Sequence, residues 1–394
     1  MFNKKEQIKM RINKAKKFLG LFSLFMLTMV YPLFGNFLDI KFSLEGVKEE
    51  INKPKLSLSA MMDGSYQNGM EKFLSENIPG KGFMVRAHNQ LLYTVFNESS
   101  NSNVIIGKDK QLFEPEYLDY SLNIKEQPTE NEIQILVDKL EKLQTVLEED
   151  NKQLYIFITP SKVRYFSEYA PEYYKECAKN ENGELAYDKF IRMTKDTKLN
   201  IFDSVAFIDT HKESFKFPLW YRTGIHWSRA LGSNVAEAFN KYLIQQSGYD
   251  LGQIHVTNQI VSECLHPDAD LYKILNLLLP SSEEYYNVEI EVEEGKDKPN
   301  VFLRGGSFMG QSLSFLITSN IFNKDIHFEN NYYFTDLYSN TFYLSNFNAY
   351  NEIDVESYLK QSDIMILEVN EEKIYTMGWG FIDYVLENYV PEAR

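Results

Sequence analysis

Two residues, Ser307 and His226, lie in short segments whose composition suits nucleophilic catalysis. His226 lies in residues 221–228 (YRTGIHWS), directly before an amphipathic helical pattern. Ser307 lies in residues 301–308 (VFLRGGSF), which is typical of a strand that runs into a helix. A serine hydroxyl becomes a nucleophile when an adjacent base, most often a histidine, accepts its proton. The two segments therefore predict a Ser307 nucleophile and a His226 base.

The residues around Ser307 and His226 suggest how each is positioned. A strand end that meets a helix N-terminus is where ligands bind in open α/β sheets, and the N–H groups there can stabilise an oxyanion. Gly306 allows a close backbone approach, and Trp227 is expected to shield the His226 ring. We assign Gly306, Thr223 and Trp227 to oxyanion binding or positioning. A serine before a helix is also an ordinary N-cap and a single histidine is often a core residue, so these alternatives stay open.

The elements that must hold these residues alternate between helices and strands. Residues 129–150 carry apolar side chains on one helical face, and Thr129 with Glu132 forms a capping box. Continuous apolar runs typical of buried parallel strands are 154–158, 301–303 and 364–369. Further predicted elements are helices over 65–97 with a break at 79–80, 228–246 and 308–316, and strands over 104–106, 111–113, 201–208 and 287–294. The alternation predicts an α/β domain with a mainly parallel sheet.

The N-terminal residues differ from the rest of the chain. Seven basic side chains within residues 1–17 precede residues 18–38, which carry no charged side chain. About 20 apolar residues at a rise of about 1.5 Å cross the roughly 30 Å core of a bilayer, and the basic flank favours a cytoplasmic N-terminus. The predicted parts are a cytoplasmic tail (1–17), a transmembrane helix (18–38), a juxtamembrane connector (39–64) and an extracytoplasmic domain (65–394) held at the cell membrane. A cleaved signal peptide is the alternative.

The charge and the metal-binding residue types exclude some classes of partner. Residues 1–38 carry a net charge of +6, so the net charge of −15 for the whole chain leaves −21 on the remainder. That sign argues against nucleic acid and suits a neutral glycan or a membrane partner better. The six histidines show no metal-ligand spacing, so no metal site is predicted and no cofactor is indicated. Cys177 and Cys264 are compatible with one disulfide or with two buried thiols.

Six segments, taken in order, resemble the SGNH hydrolase-like domain of AlgX/AlgJ-type alginate O-acetyltransferases. They are GKDKQLF (107–113), ITPSK (158–162), TGIHW (223–227), DL (270–271), GSF (306–308) and ILEVNE (366–371). The resemblance covers residues 65–375 and implies a three-layer α/β/α fold. It also implies acetyl transfer to an exported polysaccharide, with a membrane-bound O-acyltransferase as acetyl donor. Ser307 matches the family's serine, and His226 matches the histidine of its Asp-x-His-Trp motif.

The chain departs from this family at the acid of the motif. The aspartate of Asp-x-His-Trp falls on Gly224, which has no side chain. A triad acid orients the imidazole, and its loss costs on the order of 10⁴ in rate. Another group must then supply this role, or a serine–histidine dyad works more slowly, or the domain is a degenerate binding module. The candidate substitute acids are Asp209, Glu368 and Glu371.

Three functions fit these observations. The first is a membrane-anchored extracytoplasmic O-acetyltransferase in which Ser307 takes an acetyl group and His226 moves protons. The second is an acetyl esterase with the same residues, in which water replaces the sugar hydroxyl. The third is a non-catalytic polysaccharide-binding or assembly factor that uses aromatic side chains as stacking platforms. A long aromatic cleft would favour transfer, whereas a small open pocket would favour hydrolysis.

Overall fold

The computed structural model describes most of the chain after residue 51. The described residues are 16, 18–20, 22–23, 26, 43–46, 52–77, 80–178, 183–329, 333–336, 341–344 and 355–391. The predicted tail at 1–17, transmembrane helix at 18–38 and first part of the connector therefore lie almost wholly outside them. Among the residues that are described, no helix has the length and apolar character needed to cross a membrane.

The contacts divide the chain into two compact units. One comprises residues up to Asn101 together with Lys273–Pro280, and the other comprises Ser102–Tyr272 and Ser281–Arg394. The predicted domain began at residue 65, whereas the contacts group residues 65–101 with the first unit. All residues predicted for the site lie in the second unit.

The first unit is helical. Its described helices are α1 (Leu58–Met62), α2 (Ser65–Glu76) and α3 (Lys81–Leu91), with a π-helical turn at Leu92–Phe96. The helix predicted over 65–97 is thus divided near the predicted break. Asn89 and Arg86 of α3 donate hydrogen bonds to the carbonyls of Leu275 (2.8 Å) and Leu277 (2.7 Å), which ties residues 273–280 to this unit.

The second unit contains eleven described strands in three sheets. They are β1 (Ile105–Ile106), β2 (Leu112–Phe113), β3 (Gln153–Thr159), β4 (Ile201–Asp203), β5 (Gly252–Ser262), β6 (Tyr285–Glu294), β7 (Asn300–Gly305), β8 (Lys324–Glu329), β9 (Tyr333–Asp336), β10 (Thr341–Leu344) and β11 (Ile364–Asn370). The largest sheet has the order β10-β9-β8-β7-β11-β3-β4. Its five strands from β8 to β4 are parallel, and β9 and β10 are antiparallel. The prediction of a mainly parallel sheet is confirmed.

The helices of this unit pack on both faces of the sheet. They are α4 (Pro115–Ser121), α5 (Glu130–Glu149), α6 (Lys162–Phe166), α7 (Glu172–Glu176), α8 (Ala186–Thr194), α9 (Ser204–His211), α10 (Arg229–Ser247), α11 (Asp270–Ile274, of which only residues 270–272 belong to this unit), α12 (Met309–Thr318), α13 (Val355–Gln361) and α14 (Phe381–Asn388). The side chains of β3 alternate, because successive residues of a strand point to opposite faces. Ile156 packs with α5, α8 and α14, and Phe157 packs with α10 and α12. These two cores make the predicted three layers.

The helices predicted over 129–150, 228–246 and 308–316 are present as α5, α10 and α12, whereas one predicted strand was wrong. The Thr129–Glu132 capping box is present at the start of α5, and the Ser228 hydroxyl accepts from the N–H of Leu231 at the start of α10. Residues 201–208 were predicted as one strand, but β4 ends at Asp203. The Asp203 carboxylate accepts the N–H groups of the next turn and so starts α9.

Residues 287–294, predicted as a strand or hairpin at the sheet edge, form β6, which does not lie in the large sheet. It pairs antiparallel with β5 in a separate two-stranded sheet. Cys177 and Cys264 are not joined by a disulfide.

Candidate active site

Ser307 lies directly beyond the C-terminal end of β7, where the parallel sheet meets a helix. Its Oγ is 2.8 Å from Nε2 of His226, although the two residues are 81 positions apart. The helix that follows begins at Met309, with Phe308 at the N-cap position and no side-chain capping bond. Ser307 is therefore not a helix cap. Its hydroxyl is exposed and lies within hydrogen-bond distance of the imidazole.

His226 lies in the loop before α10, and its two ring nitrogens face different partners. Nε2 faces Ser307, and Nδ1 is 2.5 Å from Oδ2 of Asp270. An ionised carboxylate only accepts hydrogen bonds, so we assign the proton to Nδ1. The lone pair of Nε2 is then directed at the serine hydroxyl, which is the arrangement that a general base requires.

Asp270 is the first residue of α11, and it is held in place by backbone N–H groups. Its Oδ1 accepts from the N–H of Ile225 (3.0 Å) and from its neighbour Leu271 (2.7 Å). Burial acts to raise the pKa of Asp270, but the His226 ring and these N–H groups outweigh it, so the pKa lies below its ordinary value. The carboxylate is therefore charged and fixed against the imidazole.

None of the three predicted substitute acids is the carboxylate that meets Nδ1, so that prediction is wrong. Asp209 lies on α9, half-exposed and paired with Lys212. Glu368 and Glu371 lie at the end of β11 and accept from the backbone N–H groups of Gly306 (2.6 Å) and Ser161 (2.8 Å). Their carboxylates are directed at backbone turns.

Asp270 was not among the candidate acids, although one signal for it was present. It stands in one of the six segments that carry the family resemblance, 44 positions after His226. The position of residues 268–270 also explains why residue 224 is a glycine. A Cβ at residue 224 would lie 2.7 Å from the carbonyl oxygen of Asp268 and 3.3 Å from Oδ1 of Asp270. The absence of a side chain at 224 leaves space for the segment that supplies the acid.

Gly306 builds the turn before Ser307 and does not offer its own N–H to an oxyanion. That N–H donates to Oε2 of Glu368. A Cβ on Gly305 would lie 2.8 Å from the Glu368 Cβ, so the residue before the turn must also be small. In the part of the chain that the structure describes, the N–H groups of Ser307 and Phe308 have no acceptor. These two groups, at the start of α12, are the donors available to an oxyanion.

Thr223 and Trp227 lie near His226, but their side chains face away from the reacting groups. The Thr223 hydroxyl donates to Oε2 of Glu283 at 2.6 Å. Trp227 is fully buried and packs edge-on against Phe157 in the core. The ring that covers the imidazole is Phe308, whose centroid is 4.6 Å from that of His226. The shielding predicted for Trp227 is thus provided by the residue after Ser307.

Lys162 fixes the loop that leads to His226. Its Nζ is fully buried and donates to four backbone carbonyls, those of Leu112, Tyr221 and Gly224 at 2.9 Å each and that of Arg222 at 3.2 Å. Burial lowers the pKa of Lys162 to about 7. One side chain therefore joins β2 to the loop, and it rigidifies the base indirectly.

A further carboxyl group, Glu114, lies within electrostatic reach of the site at the N-cap position of α4. Burial raises the pKa of Glu114 to about 7, with His226 acting to lower it and Asp270 to raise it. Near neutral pH this group is therefore partly protonated. Among the described residues, no group of three or more His, Cys, Asp or Glu side chains has the arrangement of a metal site.

Comparison with known families decides the classification. The model of the SGNH hydrolase-like domain described as acetyltransferase AlgX matches residues 104–315, which is more than half of the chain. The chain belongs to this AlgX family. The predicted family and its SGNH hydrolase-like α/β domain are thus confirmed, and Ser307, His226 and Asp270 all lie within the matched range. A comparison with curated proteins finds no match.

Solved structures similar to this AlgX-family chain include three bacterial proteins. The O-acetyltransferase domain of Pseudomonas putida AlgJ is 18% identical, with a TM-score of 0.45, over 69% of this chain and 92% of that one. Pseudomonas aeruginosa AlgX is 14% identical, with a TM-score of 0.42, over 73% and 67% respectively. Bacillus cereus PatB1, solved with a sulfonyl adduct, is 10% identical, with a TM-score of 0.43, over 63% and 92%.

Proposed function

We propose that this protein is an O-acetyltransferase that modifies an exported polysaccharide through Ser307, His226 and Asp270. The observation that carries the proposal is the continuous contact from Ser307 Oγ to His226 Nε2 and from His226 Nδ1 to Asp270. Three side chains from separate elements converge in the order nucleophile, base and acid, at a sheet edge, and a binding module has no need of that order.

The first half-reaction would form an acetyl ester on Ser307. His226 Nε2 takes the proton of the hydroxyl while Oγ attacks the acetyl carbonyl carbon of the donor. The N–H groups of Ser307 and Phe308 would donate to the resulting oxyanion. The bond from the carbonyl carbon to the donor's leaving atom then breaks, and that atom receives the proton from His226.

The second half-reaction repeats these steps with a sugar hydroxyl. His226 takes the hydroxyl proton, the sugar oxygen attacks the acetyl-serine carbonyl, and the bond to Ser307 Oγ breaks. The proton returns to Ser307 Oγ. Throughout, Asp270 stabilises the imidazolium and keeps the ring oriented.

The setting of the reaction is part of the same proposal. The uncharged run at 18–38 behind a basic cluster supports a single membrane anchor with the second unit outside the cell membrane. A membrane-bound O-acyltransferase would then deliver the acetyl group. A cysteine placed near residue 300 should react with an impermeant thiol reagent in intact cells, in a background without Cys177 and Cys264. Protection until lysis would overturn this orientation.

An acetyl esterase is the second candidate, favoured by the solvent exposure of Ser307. Water would take the place of the sugar hydroxyl in the second half-reaction. The two functions are distinguished by supplying an acceptor oligosaccharide, because transfer yields an acetylated sugar whereas hydrolysis yields only acetate.

The test uses the full chain with p-nitrophenyl acetate as donor. Ser307→Ala and His226→Ala should each lower turnover by roughly 10⁴-fold or more, and mass spectrometry should find acetyl-Ser307 in the wild type. Ser314→Ala is the matched control, since its hydroxyl bonds only to the Gln311 carbonyl within α12. Unchanged turnover in both site variants, with both proteins folded, would overturn the enzyme proposal and leave the binding role.

A further inference from the structure

A cavity of about 440 Å³ lies between α5, the start of α14 and the irregular segment Glu371–Gly380. Its wall contains two aromatic side chains, Tyr375 and Trp379, with the charged groups of Glu132, Lys139 and Asp383 around them. The volume falls within the range of about 300–1,000 Å³ that is typical of small-ligand sites. The mechanism proposed above uses none of these five residues.

Trp379 links this cavity to the nucleophile. Trp379 lines the cavity, and its ring carbon Cη2 would lie 3.3 Å from a Cβ on Gly306, the residue before Ser307. The ring also lies over the guanidinium of Arg304, 5.2 Å from its centroid. A ligand that contacts Trp379 in this cavity would therefore be separated from the turn that carries Ser307 by the width of the indole ring.

The backbone holds Trp379 in a conformation that a bulky residue rarely adopts. Its φ is +48°, and the flanking glycines 378 and 380 have φ of +73° and +83°. A non-glycine residue in this region costs of order 1 kcal/mol or more, and such strain persists where the surroundings fix it. The indole is thus placed at the cavity wall by the conformation of the whole segment.

The charges of the cavity suit a neutral ligand. Lys139, the one basic side chain among the described lining residues, is paired with Asp383 at 2.7 Å. Glu132 caps the start of α5 with its carboxylate. The two carboxylates and one ammonium of the lining sum to a net charge of −1, which disfavours an anionic ligand. A sugar is complementary to an aromatic ring that is surrounded by hydrogen-bond acceptors. The C–H groups on the face of the sugar pack against the aromatic ring, and the hydroxyls on its edge donate to the acceptors.

We propose that this cavity binds one sugar unit of a neutral polysaccharide, stacked on Trp379 and adjacent to the unit whose hydroxyl accepts the acetyl group from Ser307. The inference rests on the proposed transferase function and specifies its acceptor. It predicts a preference for uncharged chains over uronate chains.

Tryptophan fluorescence provides a direct measurement of this binding. Of the three tryptophans, Trp220 and Trp227 are buried, 2% and 0% exposed, whereas Trp379 lines the cavity. Titration with cellotetraose, maltotetraose and chitotetraose should change the emission and protect it from acrylamide quenching. Tetragalacturonate, the anionic probe, should bind at least tenfold more weakly than the best neutral sugar.

Two variants and one control test the role of the ring. Trp379→Gly removes the indole while the positive φ is retained without strain, and Tyr375→Ala removes the second aromatic wall. Each should weaken binding of the best neutral sugar, measured by calorimetry, by about 5- to 10-fold. Tyr173→Ala removes an exposed aromatic side chain on α7, outside the cavity, and should leave the affinity unchanged.

The outcomes separate this inference from the proposed function. Two results would overturn the inference. The first is that no neutral probe binds at concentrations up to about 10 mM, which is about the weakest useful affinity for a subsite. The second is that Trp379→Gly binds the sugar as tightly as the wild type does. Loss of sugar affinity in that variant, with the affinity of the control Tyr173→Ala unchanged, supports the inference. Ser307→Ala should keep the sugar affinity while it loses turnover. Should wild-type protein bind the sugars but Ser307→Ala lose no turnover, the proposed enzyme fails while the sugar site stands.

Discussion

Two carboxylates, Asp270 and Glu368, hold the two halves of the candidate active site in the same way but have different second contacts. Asp270 accepts the N–H of Ile225, the neighbour of His226, and Glu368 accepts the N–H of Gly306, the neighbour of Ser307. The second oxygen of Asp270 meets the imidazole, while that of Glu368 accepts from the Thr159 hydroxyl at 2.6 Å. A hydrogen bond from a backbone N–H therefore positions each carboxylate. The contact of the other oxygen determines whether the carboxylate takes part in catalysis.

The environments of the two carboxylates differ accordingly. Glu368 is fully buried at the end of the central strand β11, whereas the Asp270 side chain retains 17% exposure on a short surface helix. A buried carboxylate that satisfies two donors contributes mainly to stability, because its removal leaves both donors unpaired. A partly exposed one contributes less to stability and remains close to the reacting groups. Replacement of Asp270 should therefore reduce mainly the activity, and replacement of Glu368 should reduce mainly the stability.

The largest effect is expected for Asp270→Asn. The amide keeps the shape but cannot hold the imidazole in the required tautomer or stabilise its charged form, so kcat on p-nitrophenyl acetate should fall by about 10⁴. Asp209→Asn, on exposed α9, is the control and should change kcat little. A loss of less than tenfold in Asp270→Asn would show that another group orients His226.

Glu368→Ala should have the larger effect on folding. The Gly306 N–H and the Thr159 hydroxyl lose their acceptor in a buried position, which should lower the free energy of unfolding by about 3 kcal/mol. Asp270→Ala should lower it by about 1 kcal/mol, since water reaches that site. Urea denaturation followed by circular dichroism measures both. Equal losses of stability in the two variants would contradict the division of roles.

Gly224→Asp introduces a third carboxylate beside Asp270 and should reduce activity. The new Cβ would press on the Asp268 carbonyl at 2.7 Å, and the new charge would repel Asp270. We expect turnover to fall by roughly 10- to 100-fold, or about 1.4–2.7 kcal/mol. Gly310→Ala is the matched control, because its added Cβ meets nothing within 4 Å. Higher activity in Gly224→Asp would mean that the family's aspartate position is still usable here.

Glu114→Gln should have the smallest effect, and the effect should depend on pH. The pKa of Glu114 is raised to about 7 in the folded protein, above the unfolded value of about 4.5, so the folded state binds more protons between these values. The contribution of Glu114 to stability is fully present below pH 4.5 and is lost as pH rises through 7. The wild type should lose roughly 1–2 kcal/mol relative to Glu114→Gln across this window. Parallel stability curves for the two proteins would exclude a buried Glu114.

The main core elements and the two residues of the nucleophilic pair could be predicted from the sequence alone. The capping box at Thr129 started α5, and the continuous apolar runs in β3, β7 and β11 predicted buried parallel strands, because these signals act between residues close in the chain. Ser307 and His226 each stood at a predicted element end, and the parallel sheet brings such ends to one edge. The strand predicted over 201–208 failed because a single side chain, Asp203, turned half of it into a helix.

The acid that meets the imidazole and the ring that covers it depend on tertiary packing. Asp270 lies in a five-residue helix, and its distance to His226 depends on how the chain between them folds back, which no local pattern encodes. Glu368 and Asp270 are equally plausible in sequence, since both are carboxylates near element ends. The side chain of Trp227, next to His226, points into the core, because neighbouring residues in an extended backbone point to opposite sides. The His226 ring is covered instead by Phe308, which is 82 positions away in the chain. Local interactions fix elements, whereas the partners of a site are fixed by packing between elements that are distant in the chain.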